Sequence, residues 1–215
     1  WAEMGRLAGT GELGMPLHLE FGFGYPADPQ VYGSIYDPAD GGALRDRGIY
    51  GIALALTMLG PVEDVTCGMR RDDRGADLGA ALMLGHAGGG MSQITVALDT
   101  GLSNTAVLGL ERGVLRLGPP VVGAERLGVE QMALGGAPAD SAGLKDRLRA
   151  LPLARRANQT RAAAGARFLS YGRDQYAPML EHVADVIRTG RSESDLVPLS
   201  LSLAAQDVLT KAREG

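Results

Sequence analysis

Asp46 and Tyr50 lie four residues apart in a stretch whose apolar residues, Leu44, Ile49, Ile52, Leu56 and Leu59, recur at helical spacing. On a helix, residues four apart project from the same face, so a carboxylate and a phenol converge just after the glycine-rich entry Gly41 and Gly42. Such a pair suits proton transfer. A tyrosine exchanges a proton if positive charge nearby lowers its pKa from about 10, and an aspartate orients the phenol or a substrate hydroxyl. The spacing alone leaves a plainer reading open, in which Asp46 pairs with Arg45, Arg47 or another cation and Tyr50 is a half-buried core aromatic.

The elements that must position this pair can be traced along the chain. Trp1, Met4 and Leu7 recur every third residue, which predicts the tail of a helix over Trp1 to Ala8. Gly9, Gly11 and Gly14 spell GxGxxG. A dinucleotide fingerprint must follow a strand and open a helix, and here the order is reversed. Pro16 and the alternating Leu17, Glu20, Phe21 and Phe23 follow the glycines, so a helix-to-strand turn is expected. Pro26 to Asp40 reads as a long loop rich in Pro, Asp, Gly and Tyr. Tyr25 just before it and its Tyr32, Tyr36 and Asp37 are either ligands or loop packing. The helix is predicted over Ala43 to Leu59, ended by Gly60 and Pro61.

Short alternating runs follow at Val62 to Arg70, Ala76 to Leu84, Met91 to Asp99, Asn104 to Glu111 and Val114 to Leu117, with a further strand near Arg126 to Met132. Their short connections predict antiparallel neighbours. In Met91 to Asp99, Ile94, Val96 and Leu98 share one face, and Gln93, Thr95 and Asp99 the other. Helices are predicted over Ala142 to Arg156, over Tyr176 to Thr189, and from Pro198 onward. The fold class is α+β: an open, mostly antiparallel sheet of roughly five to seven strands with helices packed on one face. The other face needs a partner.

A formal charge of −4 over 215 residues, with no long block of like charges, gives no footprint for nucleic acid or anionic lipid. Neither a spanning segment nor a signal peptide is visible, so a cytoplasmic setting is expected. His18, His86 and His182 show no ligand spacing, and no metal site is proposed. The single Cys67 reads as a small buried hydrophobe. Gly85 to Gly90 falls between strands and reads as a hairpin. The sequon Asn158, Gln159 and Thr160 means little without a secretory signal.

Tyr36, Asp37 and Pro38, then Gly41, Gly42, Ala43, Leu44, Arg45, Asp46, Arg47, Gly48, Ile49 and Tyr50, resemble the Gfo/Idh/MocA motif, a glycine pair or triplet followed by LxDxGxH or LxDxGxY. The Gly11 to Gly14 turn before a strand resembles that family's junction after its nucleotide domain. Tyr176 through Ile187, Gly190 and Pro198 resemble its closing segment.

The resemblance implies that residues 1–215 form a single C-terminal substrate-binding and oligomerisation domain of an NAD- or NADP-dependent oxidoreductase, with the cofactor bound mainly by an N-terminal domain that is missing here. It carries the family's catalytic Asp onto Asp46 and its His or Tyr acid/base onto Tyr50; Tyr36 and Asp37, in the loop expected to border the pocket, are the substrate-binding candidates. Tyr in place of His is similar to the dihydrodiol dehydrogenase and glucose-fructose oxidoreductase branches. Ala53 stands where many members have a further Asp, and Arg45 and Arg47 stand where apolar residues are common. The family's catalytic Lys has no counterpart, since Lys145 and Lys211 lie in unrelated contexts.

The implied reaction is hydride transfer between NAD(P) and a hydroxyl-bearing carbon of a sugar, cyclitol or dihydrodiol, with this chain alone inactive. The implied assembly is a homodimer through the open sheet face, with no nucleic acid or membrane partner. The alternative is a free-standing carbohydrate-binding or dimerisation module.

Overall fold

The computed structural model describes residues 1–132, 166–172 and 174–214. Helix α1 (Ala2–Gly9) leads through the glycine turn into β1 (Pro16–Gly24). A long loop containing a 3₁₀ turn at Gly33–Tyr36 then reaches a π-helical turn, Leu44–Gly48, that runs on as α2 (Ile49–Leu59). Seven strands follow: β2 (Val62–Arg71), β3 (Asp77–His86), β4 (Met91–Ala97), β5 (Thr105–Leu110), β6 (Gly113–Leu117), β7 (Arg126–Gln131) and β8 (Ala166–Phe168). Helices α3 (Ala177–Arg188) and α4 (Leu199–Glu214) close the chain. The helix expected over Ala142 to Arg156 lies outside the described residues.

The strands form one eight-stranded sheet in the order β2-β3-β4-β1-β5-β6-β7-β8. Each pair is antiparallel except β1 with β4. The expected antiparallel contact between β4 and β5 is therefore replaced. β1 occupies the slot between them, and the segment 98–104 steps across its end. Asn104, with φ +52, makes that step possible: its side chain accepts the Gly24 N–H and donates to the Gly24 carbonyl, both at 3.0 Å, in place of a strand neighbour.

Alternation sorts the strands into two faces. Leu19, Phe21, Leu82, Leu84, Ile94, Val96, Leu108 and Leu115 are all buried on the face against which α2 packs. In register on the opposite face run Thr66, Met83, Gln93, Glu20, Val107, Arg116 and Gly128. α4 lies against α2 and β2, burying Ala205, Val208, Leu209 and Ala212. α3 differs, since none of its residues is buried and Met179, Leu180, Val183 and Ile187 are exposed. Cys67, expected in the core, is half-buried on β2.

Candidate functional site

The helix bearing Asp46 and Tyr50 is fixed to the sheet at two points. At its entry, Asp77 of β3 accepts the Leu44 N–H at 3.0 Å, satisfying one of the donors that every helix start leaves free. Gly42 permits this: its φ is +99°, and a Cβ there would overlap the Asp77 carboxylate. Burial pushes the Asp77 carboxyl above the usual carboxylate range, against the pull of the Leu44 and Ala43 N–H groups. Two turns further on, a Cβ at Gly51 would stand 2.7 Å from the Phe21 ring and 2.8 Å from Ile94, so glycine sets how closely α2 approaches β1 and β4.

This anchoring turns Asp46 and Tyr50 outward and Arg47 inward. Asp46 and Tyr50 are exposed, while Arg47 is 1% exposed. The Tyr50 ring stands edge-on to Phe23 at 5.8 Å, and Phe23 in turn meets Tyr25 at 5.8 Å, giving the phenol an aromatic base at the carboxyl end of β1. Partial burial raises the Tyr50 pKa above its ordinary 10, reinforced by Asp46 and then by Tyr176 and Tyr25. The structure thus brings Asp46 and Tyr50 together. Within this chain the phenol is held more firmly protonated, not less.

The other two candidates take different places. Tyr36 is 7% exposed and donates its hydroxyl to the Ala27 carbonyl at 2.6 Å, with the Leu98 carbonyl at 3.3 Å, so it pins the long loop to the end of β4. Asp37 is exposed, and its Oδ1 accepts the N–H groups of Ala39 at 2.8 Å and Asp40 at 3.1 Å. Those two bonds build a turn and hold its carboxyl below the usual range. Of the loop aromatics, Tyr25 borders the pair.

Arg47 is the residue whose placement the sequence pattern did not give. Its Nη1 donates to the carbonyls of Tyr25, at 2.7 Å, and of Ala97, and its guanidinium lies 3.9 Å from the Tyr25 ring centroid. Its Nε is 3.6 Å from Asp46 Oδ2, whereas Arg45 pairs with Asp40. The signal was there in part: Arg47 shares a helix side with Leu44, Gly48 and Gly51, the side that meets the sheet.

The glycine turn before β1 offers no cradle for a dinucleotide. A helix precedes it, its Met15 N–H donates to the Glu111 carboxylate at 3.0 Å, and a second anion there would meet that charge. His86 bonds the Gly60 carbonyl and Ser92 Oγ, and His182 bonds Ser194 Oγ. Among the described residues no three His, Cys, Asp or Glu side chains gather as a metal site, and no helix is long and apolar enough to cross a membrane.

Residues 1–116 match the sequence profile of the GFO/IDH/MocA C-terminal domain. The chain belongs to this family. Among curated proteins it is similar to the trans-1,2-dihydrobenzene-1,2-diol dehydrogenase of Oryctolagus cuniculus, 27% identical over 187 residues that make up 86% of this chain and 50% of that enzyme.

The fold of this GFO/IDH/MocA domain recurs in a 3-ketoreductase from Actinomadura kijaniata in complex with NADP and TDP-benzene. The TM-score is 0.70 at 20% identity, over 100% of this chain and 58% of that one. It recurs again in the WlbA dehydrogenase from Bordetella pertussis in complex with NADH and UDP-GlcNAcA, with TM-score 0.66 and 20% identity over 100% and 59%. The domain therefore spans about half the length of the curated relative and under three fifths of either solved structure.

Proposed function

We propose that this domain is the substrate side of an oxidoreductase that moves a hydride between NAD or NADP and a hydroxyl-bearing carbon of a sugar, cyclitol or dihydrodiol. The observation that carries this reading is the convergence of an exposed phenol and an exposed carboxylate, Tyr50 and Asp46, on the aromatic end of β1. A nicotinamide, when bound, takes up or delivers the hydride, and proton handling falls to this chain. Tyr50 gives its hydroxyl proton to the oxygen of a carbonyl as the carbonyl becomes an alcohol, or receives that proton in the reverse direction. Asp46 accepts a hydrogen bond from the substrate hydroxyl and fixes its angle to Tyr50. Because Tyr50 is held protonated here, the oxidative direction needs a cation beside the phenol, which we assign to the nucleotide-binding domain.

Three further points belong to the same reading. The phosphates of the cofactor are bound outside this chain, in keeping with a glycine turn already facing Glu111. Tyr36 and Asp37 serve the substrate by shaping the loop beside the site. The open sheet face pairs with a second copy, which suits its broad array of Gly, Thr, Gln and Val.

The test is an assay of this domain joined to its nucleotide-binding domain, with NAD+ and NADP+ against a panel of polyols, aldoses and dihydrodiols. Reduction of one cofactor by at least one panel member is expected, with none from residues 1–215 alone. Cofactor binding without turnover on any member would contradict the enzyme reading and favour a binding module.

A further inference from the structure

Arg47 is the bulkiest fully buried side chain among the described residues, and it is a cation. Removing a guanidinium from water is unfavourable unless all its donors are met, and an apolar side chain of similar size would fill the space at lower cost. The donors are met unevenly. Nη1 holds the backbone carbonyls of Tyr25, the residue after β1, and of Ala97, the last of the parallel neighbour β4, and the guanidinium lies over the Tyr25 ring. Nε is buried without a hydrogen-bond partner, and the Asp46 Oδ2 stands 3.6 Å from it, a small side-chain rotation beyond hydrogen-bond reach. The strand clamp uses Nη1, so it does not account for the spare N–H beside the carboxylate.

We propose that Arg47 is a positioning residue that acts through Asp46. Its Nε–H holds Oδ2 from the buried side, leaving Oδ1 to accept the substrate hydroxyl, and its bonds to Tyr25 and Ala97 tie that carboxylate to the strand ends beneath Tyr50. The charge-assisted bond closes when substrate fixes the carboxylate. This inference rests on the reading of Asp46 and Tyr50 as the proton-handling pair.

The test is a double-mutant cycle in the protein carrying its nucleotide-binding domain, using Arg47→Met, Arg47→Lys, Asp46→Asn and the two double variants. Arg47→Met is expected to fold with a lowered Tm, because the Tyr25 and Ala97 carbonyls lose their donor, and to bind the nicotinamide cofactor as before. Its kcat is expected to fall by about tenfold to a hundredfold, with a smaller change in KM. Arg47→Lys, which keeps the charge and an N–H donor group, should recover part of that loss. In the Asp46→Asn background neither change should reduce kcat further. A readout independent of turnover is the crystal structure of Arg47→Met, in which Asp46 should occupy more than one rotamer while wild type holds one.

Wild-type kcat in a folded Arg47→Met variant, or losses that add fully to those of Asp46→Asn, would overturn the proposal. If Arg47→Met does not fold, the same cycle with Arg47→Lys decides. Full activity in Asp46→Asn alone would instead sink the underlying reading of the site.

Discussion

The two faces of the sheet are built from the same strands and do opposite things. On the covered face Leu19, Phe21, Ile94 and Leu108 are at most 3% exposed, and α2 packs over the strands β1 and β4 at its centre. On the other face Glu20, Gly22, Gln93, Thr95, Thr105 and Val107 border a shallow hollow of about 330 Å³ together with Ser103. The covered face stores the stability of the domain and sets the height and angle of α2, hence of Asp46 and Tyr50. The open face contributes little to the core and leaves a wide surface of mixed polar, glycine and apolar residues. The proposed chemistry and the proposed association thus fall on opposite sides of one layer, so each can be perturbed without the other.

The largest effect that would sharpen this contrast is Leu108→Ala. Its side chain is fully buried in the central core, and the loss of packing plus the cavity left behind should lower unfolding free energy by about 2–5 kcal/mol, measured by urea denaturation. On the adjacent residue, Val107→Lys should change unfolding free energy by no more than about 0.5 kcal/mol while shifting the proposed dimer to monomer, read by size-exclusion chromatography with light scattering. Equal stability losses at 107 and 108 would break the comparison.

The smallest effect concerns the charge placed at the edge of the covered face. Because burial raises the Asp77 pKa, the folded state keeps that proton over a window above the unfolded value. Its contribution is therefore greatest below the window and is lost as pH rises through it. Asp77→Asn should flatten this acid-side slope in unfolding measurements between pH 4 and 7, and an unchanged slope would contradict the assignment.

Much of the layout was legible because alternation and turn residues are local signals. β2, β3, β4, β6 and α2 lie within a few residues of the positions that Val62 to Arg70, Ala76 to Leu84, Met91 to Asp99, Val114 to Leu117 and Ala43 to Leu59 predict. The slot taken by β1 was not legible. A connection as short as 98–104 reads as a hairpin, and only the pairing of β1 with both β4 and β5 shows that it crosses a strand end, where the Asn104 side chain bonds Gly24.

At the site, the four-residue spacing of Asp46 and Tyr50 survives a first turn that is π-helical, a feature with no sequence signature here. Tyr36 and Asp37 show where a loop reading stops. A tyrosine facing solvent and one bonded to Ala27 look alike in sequence, whereas Asp37 before Pro38, Ala39 and Asp40 carried a turn signal that accounts for its bonds. Arg47 stood out as a departure from the family pattern, but its burial depends on the carbonyls of Tyr25 and Ala97, at the ends of neighbouring strands far apart in sequence.

The central claim is that Tyr50 transfers the substrate proton, and Tyr50→Phe in the protein with its nucleotide-binding domain tests it most directly. The ring and its contact with Phe23 are kept, so Tm and substrate KM should hold while the rate of hydride transfer in a single turnover falls by about 10²-fold or more. A wild-type rate in that variant would show that the phenol carries no part of the chemistry.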